Sequence, residues 1–338
     1  MIIDCHGHFT TVPHALQEWR KNQLAGAGLY GKPLEISDDK LRQSLEGKQI
    51  RLQRERGLDL TLFSPIAGQM GHHLGTPEQS VEWSRVSNDL IHRVCRLYPR
   101  NFVGVCQLPQ SARAEDFGIQ ASVAELERCV NELGFVACNL NPDPSGGFWQ
   151  APPLTDRIYY PLYEKMVELD VPAMVHVSSS CNPCHHHLGS HYLNGDTAAF
   201  MQFLLAPELF KAFPGLRFVI PHGGGAVPYH WGRYRGMAQD MGLQKLDESM
   251  LKHVFLDTCV YHQDGVDLLT KVVPAENILF GSEMIGAVKG VDPETGHYYD
   301  DTKRYVDGSP HLDEAARRKV FERNVLRVYP RLARYVNP

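Results

Sequence analysis

Met1-Ile2-Ile3-Asp4-Cys5-His6-Gly7-His8 decides how the rest of the chain is read. Residues 2–5 have the apolar weight of a short strand, and a His-Gly-His ends it. Side chains alternate along a strand, so His6 and His8 face the same way. Gly7 between them leaves room for a ligand or a backbone to approach. Two imidazoles side by side at a strand end are half of a metal site. A strand end carrying two solvated histidines has the same local sequence, so the decision lies in the remaining strands.

Those strands are continuous apolar runs: 60–64, 102–108, 135–140, 173–177, 217–221, 254–258 and 278–281. Such runs fit strands buried on both faces of a parallel sheet. Helical patterns separate most of them, at 80–98, 121–133, 158–169, 196–213, 227–239 and 266–273, with closing helices near 312–333. The first connection, 9–50, is long; it holds a helical stretch at 16–24, a glycine-rich segment at 25–33 and a second helical stretch near 39–56. Eight strand-then-helix units predict an α/β fold, a (β/α)8 TIM barrel, as a single domain over 1–338 with a long first βα loop. A doubly wound open sheet is the alternative, but no glycine-rich dinucleotide fingerprint follows the first strand.

Composition narrows the partners. With 34 basic and 39 acidic residues the net charge is −5, which argues against a nucleic-acid binder. No window of 18 residues is apolar and uncharged, so no membrane span and no membrane partner are expected. The N-terminus lacks a basic region followed by an apolar run, so no signal peptide is expected and the chain reads as cytoplasmic. Most of the eight cysteines sit in apolar runs, as reduced core thiols do.

In a TIM barrel the chemistry lies at the C-terminal ends of the strands. Strand 1 ends in His6 and His8, and strand 5 carries His176. Strand 6 ends in Pro221-His222-Gly223-Gly224-Gly225, strand 7 in Asp257 with Cys259 beyond it, and strand 8 in Gly281-Ser282-Glu283. One histidine in an apolar strand is usually a satisfied core residue; several strand ends with metal-binding side chains at one barrel mouth point to a metal site.

These residues carry a resemblance. His-x-His on strand 1, His176, His222 with its glycines and a carboxylate after strand 8 resemble the amidohydrolase superfamily, in the branch that holds aminocarboxymuconate-semialdehyde decarboxylase. Tyr98-Pro99-Arg100-Asn101-Phe102-Val103-Gly104, the run from Glu127 to Phe135 and Phe213-Pro214-Gly215-Leu216 extend the likeness over nearly the whole chain. Decarboxylases of that branch carry aspartate after strand 8, whereas Glu283 reaches further by about one C–C bond, ~1.5 Å. Within the branch the resemblance is to hydratases of conjugated, enolisable tricarboxylic acids from aromatic-ring cleavage; the alternative is a metal-dependent non-oxidative decarboxylase. The resemblance implies one Zn²⁺ held by His6, His8, His176 and Glu283, with Mn²⁺, Fe²⁺ or Co²⁺ accepting similar ligands, and a homodimer. Glu283 and His222 would divide base and acid roles, in either order.

A tricarboxylate partner needs cations and backbone donors. Gly223-Gly224-Gly225 is expected to open a helix whose N–H groups bind an anion, and Arg233 one helix onward to pair a carboxylate. His73 after strand 2, Tyr192 and Ser178 after strand 5 are further substrate candidates, and Asp257 is read as orienting a water or His222. Cys181-Asn182-Pro183-Cys184-His185 matches the haem-attachment spacing, with His186 and His187 after it. Its place after a barrel strand makes it a loop over the mouth rather than a haem or thioredoxin motif.

Overall fold

A computed structural model of the chain describes residues 1–26, 33–185, 188–243, 245–246 and 250–336. Most of the glycine-rich segment, 27–32, lies outside the described residues, as do His186 and His187. Eight strands follow one another in space in chain order, each parallel to the next: β1 Ile3–His8, β2 Leu60–Ser64, β3 Phe102–Gln107, β4 Ala137–Leu140, β5 Ala173–Val175, β6 Phe218–Ile220, β7 Val254–Asp257 and β8 Ile278–Leu279. The Cys5 N–H donates to the Phe280 carbonyl at 2.9 Å and the Glu283 N–H to the His6 carbonyl at 2.8 Å, which brings the last strand against the first. The (β/α)8 barrel expected from the apolar runs is therefore the fold.

Helices α1 Ala15–Leu24, α2 Asp38–Leu45, α3 Arg51–Glu55, α4 Pro77–Leu97, α5 Ile119–Asn131, α6 Tyr160–Glu168, α7 Leu188–Leu205, α8 Pro207–Ala212, α9 Trp231–Asp240 and α10 Gln263–Val272 alternate with the strands. Local chemistry sets their ends. Thr76 and Gln79 close a capping box ahead of α4, with Pro77 in its first turn. Pro207 ends α7 and starts α8, because the residue before a proline leaves the helical region. One continuous helix at 196–213 is thus two, and the first begins eight residues earlier, at Leu188. The glycines after His222 open no helix. They form a short 3-10 turn with Gly223, Gly224 and Gly225 all at positive φ, and α9 starts only at Trp231.

Two apolar layers hold the frame. Outside the sheet, Phe102, Cys106, Leu140, Phe218 and Phe280 pack with the helices. Inside it, Ile3, Cys5, Leu62, Val105, Met174, Val219, Phe255 and Leu279 pack with Val325, Val328, Tyr329 and Leu332 from the closing segment. The barrel bottom is thereby filled, and only the opposite end is left for a site.

Candidate metal centre

His6, His8, His176 and Glu283 converge at that end, all buried, with one ligand atom of each within 4.8 Å of the others. Alternation brings in two strand ends: Met174 and Phe255 face inward, so His176 and Asp257, two residues on, face inward too. On β1 alternation alone would fail, because Ile3 and Cys5 already occupy the interior. The pairing of β1 with β2 shifts register between Asp4 and Gly7. Beyond the shift His6 and His8 turn inward, as strand irregularities beside active sites often re-aim side chains. Gly7 is required by the neighbouring strand rather than by a ligand: a Cβ there would lie 2.2 Å from Thr61 Cγ2 and 2.9 Å from the Leu62 carbonyl.

Each imidazole has its Nδ1 committed. His6 Nδ1 donates to Asp257 Oδ2 at 2.7 Å, and His176 Nδ1 to the Val177 carbonyl at 2.8 Å. His8 Nδ1 lies 2.7 Å from Ser64 Oγ, whose own proton goes to the Pro65 carbonyl, so His8 is the donor. All three Nε2 atoms are left as lone pairs, yet they stand 3.1 Å (His6 to His8) and 3.3 Å (His8 to His176) apart. No proton sits between them, and three facing lone pairs repel unless a cation lies among them. Bonds of about 2.0–2.1 Å in a tetrahedral zinc site place ligand atoms roughly 3.3 Å apart. The donor set therefore fits a divalent ion, and the Nδ1 partners are those that metal-bound histidines use. Burial, followed by the neighbouring imidazoles, lowers His8 to about 3 and holds His176 well below the usual range, so both stay neutral as ligands must be.

Glu283 and His222 face each other across this cage, His222 Nε2 3.7 Å from Glu283 Oε2. Burial would raise the Glu283 carboxyl, but the facing His222 imidazole, followed by His6 and His8, outweighs it and holds the group well below the carboxylate range. Burial would likewise lower His222; the Asp196 carboxylate, with Glu283 after it, instead holds it well above the usual range. Tyr261 donates its hydroxyl to Glu283 Oε2 at 3.1 Å. Both His222 and Glu283 sit at positive φ, 51° and 48°, a strained choice for side-chain-bearing residues.

His6, His222 and Cys259 form a second close group, but it shares His6 with the first. Burial, with Glu283 and Asp257 beside it, drives the Cys259 thiol well above its usual range, which leaves it a poor ligand.

The residues singled out from the sequence separate here. Tyr192 lines a cavity of about 170 Å³ beside His8 and Glu283; its ring stacks on His222 with centroids 5.6 Å apart. Ser178 is turned away from a ligand role, its Oγ accepting the Gly71 N–H at 2.9 Å. His73 is half-buried beside Gly146 and Arg233 is exposed on α9; neither lines the cavity. Asp257 orients His6, not His222, and with Oδ1 also accepts the N–H groups of Gly223 and Cys259. The residue that orients His222 is Asp196, at 2.8 Å from its Nδ1. The sequence holds a signal for it, since Asp196 stands one helical turn past Tyr192 on α7. Cys181 and Cys184 join no group of three ligand atoms among the described residues; Cys181 Sγ instead lies 3.7 Å from the Gly146 carbonyl.

Known proteins resemble the chain, two of them over nearly its full length. A curated 2-keto-4-carboxy-3-hexenedioate hydratase from Sphingobium sp. is 58% identical over 335 residues, 98% of this chain and 97% of that protein. The crystal structure of a 4-oxalomesaconate hydratase from Rhodopseudomonas palustris superposes with a TM-score of 0.91 at 53% identity, covering 99% of this chain and 98% of that one. Gamma-resorcylate decarboxylase from Rhizobium radiobacter is 28% identical over 194 residues, 55% of this chain and 57% of that protein. The sequence profile described as amidohydrolase matches residues 3–331. With a barrel, a three-histidine and carboxylate cage and that match along almost all of its length, the chain belongs to the amidohydrolase family.

Proposed function

We propose that the protein is a zinc-dependent hydro-lyase that adds water to the conjugated double bond of 4-oxalomesaconate, giving 4-carboxy-4-hydroxy-2-oxoadipate. The two hydratases named above act, by their names, on one carbon skeleton, a six-carbon 2-oxo diacid with a carboxyl on C4. The observation that carries the reading is the Glu283–His222 pair at the cage: a carboxylate kept ionised and an imidazole kept protonated, 3.7 Å apart. Hydration of an alkene needs a base for the water proton and an acid for the neighbouring carbon.

A divalent ion held by His6, His8, His176 and Glu283 supplies Lewis acidity and makes water a better nucleophile at neutral pH. Glu283 accepts the water proton as the oxygen bonds to C4. With the substrate in its 3-ene tautomer, 2-keto-4-carboxy-3-hexenedioate, the electron pair of the C3–C4 double bond moves toward the 2-oxo oxygen, giving an enolate. His222 delivers the proton to C3 from Nε2, while Asp196 holds Nδ1 and so fixes which nitrogen faces the substrate. Tyr192, stacked on His222 and edge-on to His176 at 5.4 Å, walls the chamber on that side.

The test is a spectrophotometric assay with 4-oxalomesaconate on protein of measured metal content. Loss of the conjugated chromophore without carbon dioxide release supports the hydratase; carbon dioxide release would favour the decarboxylase reading instead. Zinc as the ion and a homodimer as the assembly belong to the same proposal. Elemental analysis and analytical ultracentrifugation check them, and a related Polaromonas decarboxylase structure, 20% identical, holds manganese.

A further inference from the structure

Three carboxylates are more than the cage and one imidazole can hold, and the expected arginine does not reach the chamber. We propose that Lys289 and Thr10 form a subsite for a substrate carboxylate remote from the cage. This rests on a polycarboxylate being the substrate. Both residues line the same cavity as His8, Glu283 and Tyr192. Lys289 is exposed where it lines the cavity, and among the described residues no carboxylate pairs with it. Thr10 Oγ1 is buried and has no hydrogen-bond partner. An unpaired cation and an unused hydroxyl on one cavity wall are the pair a carboxylate takes: charge from one, a directed hydrogen bond from the other.

The backbone holds both residues in place relative to the cage. Thr10 stands two residues past the ligand His8, its N–H donating to the His8 carbonyl at 2.8 Å. Lys289 lies six residues past Glu283, between two anchors. On one side the Ile285 N–H donates to Asp300, which is itself paired in the interior with Arg56 at 2.7 Å. On the other, Tyr299 N–H meets the Gly290 carbonyl at 3.3 Å and Val291 bridges Tyr298, which closes a short hairpin. Lys289 therefore stands at the base of a braced loop over the mouth.

The experiment compares wild type, Lys289→Met, Lys289→Arg and Thr10→Val as zinc-loaded full-length proteins. In Lys289→Met the KM for 4-oxalomesaconate rises about tenfold or more while kcat falls less than threefold; Lys289→Arg restores much of the KM, and Thr10→Val shows a smaller rise. Inhibition by tricarballylate weakens by the same factor in Lys289→Met, and inhibition by the monocarboxylate butyrate does not change. An unchanged KM, a loss confined to kcat, or equal weakening of tricarballylate and butyrate would overturn the subsite. If wild type fails to hydrate 4-oxalomesaconate, the proposed reaction falls, while calorimetric binding of tricarballylate to wild type and Lys289→Met still decides the subsite.

Discussion

At the scale of single residues, the site is governed by which ring nitrogen carries a proton. Asp257, Ser64 and the Val177 carbonyl each take an Nδ1 proton, and the three Nε2 lone pairs that result define the ion position. Replacing Asp257 with Asn removes the acceptor charge behind His6, and zinc affinity should fall about 10- to 100-fold, read by competition with a chromophoric chelator. Glu283→Gln keeps the size of the side chain but cannot take a proton. Turnover should drop by about 10²–10⁴ with the fold intact by circular dichroism, and near-wild-type rates would defeat the role given to it. The convergence of the three histidines was legible in the sequence because strand ends expose them in order. The orienting carboxylates were less so: Asp257 stands out in the sequence but is paired there with the wrong group, and Asp196 is passed over, since they reach partners 251 and 26 residues away.

At the scale of elements, the strands were the readable part. Buried parallel strands need apolar side chains on both faces, and that requirement writes itself as an uninterrupted run. Helix limits were less readable. Asp196 looks like the cap of a helix, but its carboxylate is spent on His222 in the middle of α7, and the true start lies at Leu188. The three glycines after His222 look like a helix opening, but positive φ at each of them makes a tight turn instead. On β1, alternation gave the right common face for His6 and His8 without revealing the register shift that produces it. Gly7→Ala tests that shift. The added carbon would meet the Leu62 carbonyl at 2.9 Å, and backbone cannot move aside as a side chain can. The expected cost is about 1–3 kcal/mol of stability together with reduced zinc content, measured by denaturant unfolding and elemental analysis of the same sample.

At the scale of the whole molecule, a filled barrel bottom and a polar top divide stability from chemistry. An ion in the cage would contribute to both, because it would bind the folded chain and find no preformed cage in the unfolded one. Stripping it with a chelator should lower the thermal midpoint by about 5 °C or more, and zinc should restore it. No helix among the described residues is long and apolar enough to cross a membrane. The cage also draws on both termini of the barrel: His6 and His8 come from the first strand, His176 from the fifth, and Glu283 from just beyond the last, where its amide grips the His6 carbonyl. A ribosome thus releases the histidines long before the glutamate. Nascent protein lacks the glutamate for most of its synthesis, and the cage can close only once the last strand has emerged.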